Sequence, residues 1–141
     1  MKKFYQKESY PTGDCFRTCV ASILEVDSLE DVPNFMRDGE KKFDEYFKTW
    51  LNNNGFICIQ YMIQESKVIN RVGFDGALCI LGGINTATGI HHSCVGQIRF
   101  EDNCKLYYDC IHDPLKNNDI ENMSFISAYF IVKRIDGLML N

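Results

Sequence analysis

Two stretches in the first half of the chain repeat apolar residues with the period of an α-helix. The first predicts a helix from about Cys15 to Glu25, whose apolar face combines two adjacent ridges: Cys15, Cys19 and Ile23 beside Phe16, Val20 and Leu24. The second predicts a helix over Lys41–Asn53, in which five residues share one face: Phe43, Tyr46, Phe47, Trp50 and Leu51. Gly55 ends this helix. Between the two, Ser28–Asp31 predicts a single turn that Pro33 terminates.

The pattern changes from helix to strand at Phe56. Strands are predicted over residues 56–62, 76–81, 90–100, 105–112 and 128–135. Gly82–Gly89 is predicted as a turn-rich connector, and Glu101–Asn103 as a hairpin turn. Because the helices come first and the strands follow with short connections, the sequence predicts an α+β fold with one mostly antiparallel sheet.

Composition narrows the possible functions. The chain has 141 residues, 45% of them apolar, which fits one domain over residues 1–141 with its own core. A net charge of −4 without a dense Lys/Arg stripe argues against nucleic acid as a partner. No apolar run reaches the roughly 18 residues of a membrane span, and no apolar run follows the basic N-terminus as in a signal peptide. We therefore expect neither a membrane nor a nucleic-acid partner.

Cysteine usage indicates the redox compartment. The chain has seven cysteines, and most lie within apolar stretches predicted as helix or strand, as Cys58, Cys79 and Cys110 do. This placement is typical of reduced core cysteines rather than of a disulfide framework. We therefore expect a cytoplasmic protein.

Gly13-Asp14-Cys15 places a cysteine where a turn becomes the first helix. Gly13 allows a tight turn, and Asp14 is a good N-cap, whose carboxylate can accept backbone N–H groups two or three residues on. In the first helical turn, the positive end of the helix dipole stabilises a thiolate. Cys15 is therefore a candidate nucleophile, and the alternative is a small buried core residue.

A nucleophilic thiol needs a base that accepts its proton and a third group that orients the base. His91 and His92 begin a predicted strand, so they must face opposite sides of the sheet. His92 shares its face with apolar positions, and we expect it to point at the helix that carries Cys15. The face of His91 is polar and predicted to be solvated; its other members are Ser93, Gln97 and Arg99.

Asp113 follows the next predicted strand and precedes Pro114. A hairpin turn centred near Asp102 and Asn103 pairs position 92 with position 113, so Asp113 can accept the ring N–H of His92 and fix its tautomer. Asp109 is the competing carboxylate. It would pair near position 96, which is too far along the strand for a direct hydrogen bond to His92.

A zinc site is the alternative chemistry for these side chains. Cys15 and Cys19 share a helix face at i, i+4, and His92 with Cys94 could supply two further ligands. Against it, the chain has no Cys-x-x-Cys pair, and two ligands at i, i+2 on one strand converge poorly on a single ion. The sequence therefore predicts no metal and no cofactor.

The segment from Gly13 to Leu24 resembles the nucleophile helix of papain-like cysteine peptidases. It is most similar to the bacteriocin-processing, double-glycine type and its small stand-alone relatives in bacteria and phages. Four further features follow in the order of that family: a helix ending at Gly55, a Gly-x-x-x-Ile strand at residues 76–80, a His-x-x-Val strand at residues 92–95, and Asp113-Pro114. The likeness covers roughly residues 6–114.

The resemblance implies a papain-like fold, with N-terminal helices packed on the sheet, and a thiol hydrolase. Such an enzyme would cleave a peptide or isopeptide/amide bond in a peptide or protein substrate through an acyl-enzyme. Cys15 would be the nucleophile, His92 the general base and Asp113 the orienting carboxylate. Substrate contacts are expected along the Gly82–Gly89 connector, beside His92.

The resemblance also makes Gln6 the oxyanion glutamine, and here the chain departs from the pattern. The glutamine of the family lies about six residues before the cysteine, where this chain has Ser9. Cys94 and Gly96 also replace larger aliphatic residues. Two alternatives stay open: a thiol acyltransferase or transglutaminase that keeps the triad, and a catalytically degenerate scaffold that acts as a binding protein, which the displaced Gln6 favours.

Overall fold

Two helices and five strands form the part of the chain that the computed structural model describes, residues 1–8, 13–63, 76–100, 106–116 and 120–135. The helices are α1 (Cys15–Leu24) and α2 (Glu40–Asn54); the strands are β1 (Phe56–Met62), β2 (Leu78–Asn85), β3 (His91–Phe100), β4 (Leu106–His112) and β5 (Met123–Lys133). All strand pairs are antiparallel, in the order β1-β5-β2-β3-β4. Both helices pack on this sheet, so the α+β prediction is confirmed.

The helix boundaries follow the apolar pattern closely. α1 starts at Cys15 and ends at Leu24, where Glu25 adopts the left-handed conformation with a φ of 53°. α2 extends one residue beyond the predicted range at each end, and Gly55 closes it with a φ of 73°. The predicted single turn is a 3-10 turn over Leu29–Asp31. Gly55 is a residue type that commonly ends helices, so the local signal located the end of α2, whereas α1 ends one residue earlier than predicted.

Two strands are longer than the sequence pattern predicts. Gly82 and Gly83 lie within β2, and the connector shrinks to a turn at residues 86–88. β5 begins at Met123 rather than at Ala128. β2 pairs with β3 on one side and β5 on the other, and this double pairing holds the two glycines extended despite their turn propensity. The predicted turn at residues 101–103 lies outside the described residues.

Gly83 marks a point where two backbones approach closely. The β2–β5 register shifts between Gly82 and Gly83, and a Cβ on Gly83 would lie 2.1 Å from the backbone oxygen of Ser124. We expect Gly83→Ala to lower the free energy of unfolding by about 3 kcal/mol or more, because backbone atoms must move to relieve the overlap. Urea denaturation measures this loss.

Gly82→Ala is the matched control for this prediction. A Cβ on Gly82 meets only side-chain atoms, the nearest being Ser127 Oγ at 3.2 Å and Tyr129 Cε2 at 3.3 Å. Since side chains can shift by a few tenths of an ångström, its effect should be clearly smaller. Equal losses for the two variants would contradict the close backbone approach at Gly83.

An aromatic cluster fixes α1 on the sheet. Phe16 packs edge-on against four rings, with centroid separations of 6.2, 4.9, 5.0 and 5.2 Å to Phe35, Phe43, Phe47 and Tyr129, respectively. Such pairs contribute about 0.5–1.5 kcal/mol each beyond the area that they bury. Because Phe16 directly follows Cys15, this packing holds the start of α1 in one position against the sheet.

Candidate active site

Cys15 is the first residue of α1 and is half-buried. The next helical turn places Cys19 beneath it, fully buried in the apolar core. α1 packs against β3, the strand that begins with His91 and His92. The predicted position of Cys15 in the first turn of a helix is therefore confirmed, as is the interpretation of Cys19 as a core residue.

Asp14 occupies the N-cap position, but its side chain does not cap α1. Its Oδ1 instead accepts the backbone N–H groups of Lys7 and Glu8, at 2.9 and 3.0 Å. Asp14 is only 1% exposed, and the Nε of Arg17 lies 3.4 Å from Oδ2 without hydrogen-bond geometry. The capping prediction was wrong because the carboxylate is taken by N–H groups that precede the helix by a few residues. Asp14 thereby ties the N-terminal segment to α1.

His92 and Asp113 form the expected pair. The ring Nε2 of His92 lies 2.7 Å from Oδ1 of Asp113, and His92 is 9% exposed. His91 is exposed, as predicted for the opposite face, although Ser93 on that face is buried rather than solvated. Asp109 pairs instead with Arg99 at the surface, at 3.2 Å.

The strand register that brings His92 to Asp113 differs from the predicted one. Gln97 pairs with Asp109 and Gly96 with Cys110, one residue off the predicted register, and a bulge then shifts the pairing by one more, so that Val95 pairs with His112. Continued past the end of β4, this register places Asp113 opposite Cys94 rather than His92. The contact between His92 and Asp113 is therefore diagonal, within the reach of long side chains.

The environment of His92 raises its pKa. Burial alone would lower it, because it disfavours the charged ring. Hydrogen bonds with Asp113 and Cys15, together with the electrostatic interactions of the ring with these two residues, outweigh burial and raise the pKa of His92 to about 9. His92 thus interacts with both Cys15 and Asp113, which brings the three residues together as predicted.

Most of the other thiols described have a higher pKa than a free cysteine. Burial, followed by the nearby Cys15, raises the pKa of Cys19 well above its ordinary value. Burial also raises the pKa of Cys58 to about 11 and that of Cys79 to about 12. None of these three is suited to be a nucleophile at neutral pH, because the thiolate is the reactive form.

Cys94 and Cys110 form a thiol pair that sequence reasoning missed. They lie on the neighbouring strands β3 and β4, and a hydrogen bond in which Cys94 donates to Cys110 raises the pKa of Cys94 and lowers that of Cys110. Cys94 is fully buried, whereas Cys110 is half-buried. The pair went undetected because the bulge in β4 decides which residues of the two strands become neighbours.

Gln6 lies near the site, and its hydrogen bonds are to Glu8 and Pro114. Its backbone N–H donates to the carbonyl of Pro114 at 2.9 Å, and its side-chain Nε2 donates to the carbonyl of Glu8 at 2.9 Å. His112, which had no predicted role, bonds through Nε2 to the carbonyl of Phe4 at 2.6 Å. The N-terminal segment therefore runs along the end of β4, beside Asp113. Ser9 lies outside the described residues.

A cavity of about 590 Å³ adjoins the site. It is lined by Lys3, Tyr5, Cys110, Ile111, His112, Asp113, Leu115, Lys116 and Ile120. Asp113 is the one member of the Cys15–His92–Asp113 set among these residues. The cavity therefore opens toward the carboxylate and the thiol of Cys110, not toward Cys15.

One group of side chains in the described ranges has the composition of a metal site. The ligand atoms of His92, Cys94 and Asp113 all lie within 4.8 Å of one another. His92 and Cys94, which were expected to converge poorly on a single ion, are brought to this spacing together with Asp113. Cys15 and Cys19, the other ligands considered from sequence, are not members of this group.

Comparison with protein-family models, with curated proteins and with solved structures finds no match for this chain. Within the described ranges, neither helix has both the length and the apolar character that crossing a bilayer requires.

Proposed function

We propose that this protein is a papain-like thiol hydrolase that cleaves an amide or peptide bond through an acyl-enzyme on Cys15. The observation that carries the proposal is the position of His92 between two partners: its Nε2 lies 2.7 Å from Asp113, and the ring also hydrogen-bonds the Cys15 thiol. A nucleophile, a base and a group that orients the base are the three parts that this chemistry requires.

The two ring nitrogens of His92 have separate tasks in the reaction. Nε2–H donates to Asp113, which leaves Nδ1 to take the thiol proton of Cys15. The thiolate then attacks the carbonyl carbon, the C–N bond breaks, and His92 returns the proton to the leaving amine. A pKa of about 9 supports this last step, since the imidazolium that donates the proton is populated at neutral pH. Water, deprotonated by His92, releases the acyl group.

The oxyanion of the tetrahedral intermediate requires hydrogen-bond donors. The backbone N–H of Cys15 is the first, because the first turn of a helix leaves such groups without intrahelical acceptors. Gln6 is the second: its amide nitrogen carries two protons, and the carbonyl of Glu8 accepts only one of them. Asp14 supports this role by anchoring Lys7 and Glu8, and with them Gln6, to the start of α1.

Site-directed labelling tests the proposal. A peptide carrying a vinyl sulfone should modify the protein once per chain, and peptide mapping by mass spectrometry should locate the label on Cys15. Cys110 is the competing thiol, because its pKa is lowered and it lines the cavity. A label on Cys110 with Cys15 left free would overturn the assignment of the nucleophile.

A binding protein on a catalytically degenerate scaffold is the second candidate. It is favoured by the bond between the Gln6 side chain and the carbonyl of Glu8, which turns part of this amide away from the oxyanion position. The rate of iodoacetamide alkylation at Cys15 distinguishes the two. Alkylation with the rate and pH dependence of a cysteine in an unstructured peptide would favour the binding protein.

An acyltransferase would keep the triad and release the acyl group to an added amine.

A further inference from the structure

Three donor atoms of metal-binding type meet near the start of β3 and the end of β4, and a fourth, the thiol of Cys110, lies beside one of them. His92, Cys94 and Asp113 place their ligand atoms within 4.8 Å of one another, and the thiol of Cys110 is hydrogen-bonded to that of Cys94. Together they offer two sulfurs, one imidazole nitrogen and one carboxylate oxygen. This combination suits zinc, which takes Cys, His and carboxylate ligands in a tetrahedral arrangement.

The β-bulge explains why these donors converge. The pairing of Val95 with His112, after that of Gly96 with Cys110, makes Ile111 the extra residue of β4. Ile111 is 38% exposed, and its insertion carries His112 and Asp113 one position further along β3. Asp113 therefore arrives opposite Cys94 and within hydrogen-bonding distance of the imidazole of His92.

We propose that Cys94, Cys110, His92 and Asp113 form a binding site for a thiophilic divalent cation, Zn²⁺ above all. Ligand atoms around a tetrahedral zinc ion lie about 3–4 Å apart, so His92, Cys94 and Asp113 need only small shifts from the observed spacing. The Cys110 thiol lies outside that spacing, and its side chain must turn from Cys94 toward the ion to complete the site. Cys110 and Asp113 line the cavity of about 590 Å³, which gives the ion access from solvent. Binding replaces the thiol protons of Cys94 and Cys110 and the extra proton of the His92 imidazolium, and all three are released to solvent; no group is oxidised.

Metal binding at this site excludes catalysis at the neighbouring one. The ion takes the carboxylate and one ring nitrogen of His92, the two groups on which acylation of Cys15 depends. Zn²⁺ is therefore a reversible inhibitor, and a chelator restores activity. This consequence rests on the proposed hydrolase function, whereas the binding itself does not.

Competition with a chromogenic zinc chelator measures the affinity, and Co²⁺ as a replacement ion reports sulfur ligation through its charge-transfer absorption. We expect one ion per chain, and Cys94→Ser or Cys110→Ser should each weaken binding about 100-fold or more. Cys110 is half-buried, so its variant keeps the test valid if the fully buried Cys94→Ser fails to fold. Cys58→Ala, which removes a thiol from β1 at the opposite edge of the sheet, is the control.

Cys15→Ala separates this proposal from that of the hydrolase. The variant should bind Zn²⁺ as the parent does, since Cys15 is not a ligand. If the parent protein binds Zn²⁺ but shows no acylation, the metal site is supported and the hydrolase proposal is contradicted. Loss of binding in Cys15→Ala with retention in Cys110→Ser would place the ion at Cys15 and overturn the site, as would the absence of stoichiometric binding by the parent.

Discussion

Cys15→Ala is expected to abolish acyl-enzyme formation and to reduce ester turnover by at least about 10,000-fold, to the background of the uncatalysed reaction. The reason is that the reaction proceeds through a thioester, and Cys15 is the one thiol among the described residues that has both His92 as a partner and a place at the start of a helix. Intact-mass spectrometry after a pulse of p-nitrophenyl acetate detects the acetyl group on the parent and its absence on the variant.

Two controls keep this result specific to the nucleophile. Cys58→Ala removes another half-buried thiol, far across the sheet on β1, and should acylate like the parent. Thermal unfolding of Cys15→Ala should resemble that of the parent, because the side chain is small and only half-buried. Acylation of Cys15→Ala at the parental rate would exclude Cys15 as the nucleophile.

Local signals predicted the helices and the position of the thiol well. The apolar period of α1 and the turn at Gly13-Asp14 gave the start of the helix to the residue. The same signals failed for the Asp14 side chain, whose partners are backbone amides at Lys7 and Glu8. N-cap preferences describe an isolated helix end, and they contain no information about a preceding segment that folds back and offers its own N–H groups.

The pair of His92 and Asp113 was predicted through two errors that compensate. The observed pairing places the centre of the hairpin half a residue away from the predicted centre. This shift alone would have turned every side chain of β4 to the face opposite the predicted one. The bulge at Val95 and Gly96 adds a second shift of one residue and restores the facing. Turns and bulges depend on how the strands pack against one another. A sequence therefore predicts which residues of a strand share a face more reliably than it predicts which residues of the neighbouring strand they pair with.

Asp113→Asn is expected to lower the pKa of His92 from about 9 toward the ordinary value near 6.5 and to reduce kcat by about 1,000-fold or more. An amide removes the negative charge that favours the imidazolium, and it no longer selects the tautomer in which Nε2 carries the proton. Titration of the His92 ring protons by NMR measures the pKa, and the signal is assigned by its loss in His92→Ala. A pKa that stays near 9 in Asp113→Asn would assign the shift to Cys15 alone.

The raised pKa of His92 also predicts how stability depends on pH. A group whose pKa is raised on folding adds stability that is complete below the unfolded pKa, near 6.5, and is lost as the pH rises through about 9. At about 1.4 kcal/mol per unit, the parent should lose up to about 3 kcal/mol of unfolding free energy across this interval, and Asp113→Asn less. Asp109→Asn is the matched control, because this carboxylate lies on β4, the strand that Asp113 directly follows, but pairs with Arg99. Urea denaturation at the two pH values should show a flatter profile for Asp113→Asn and an unchanged one for Asp109→Asn. If the unfolding free energy became equally independent of pH in both variants, its pH dependence would reflect net charge rather than the titration of His92.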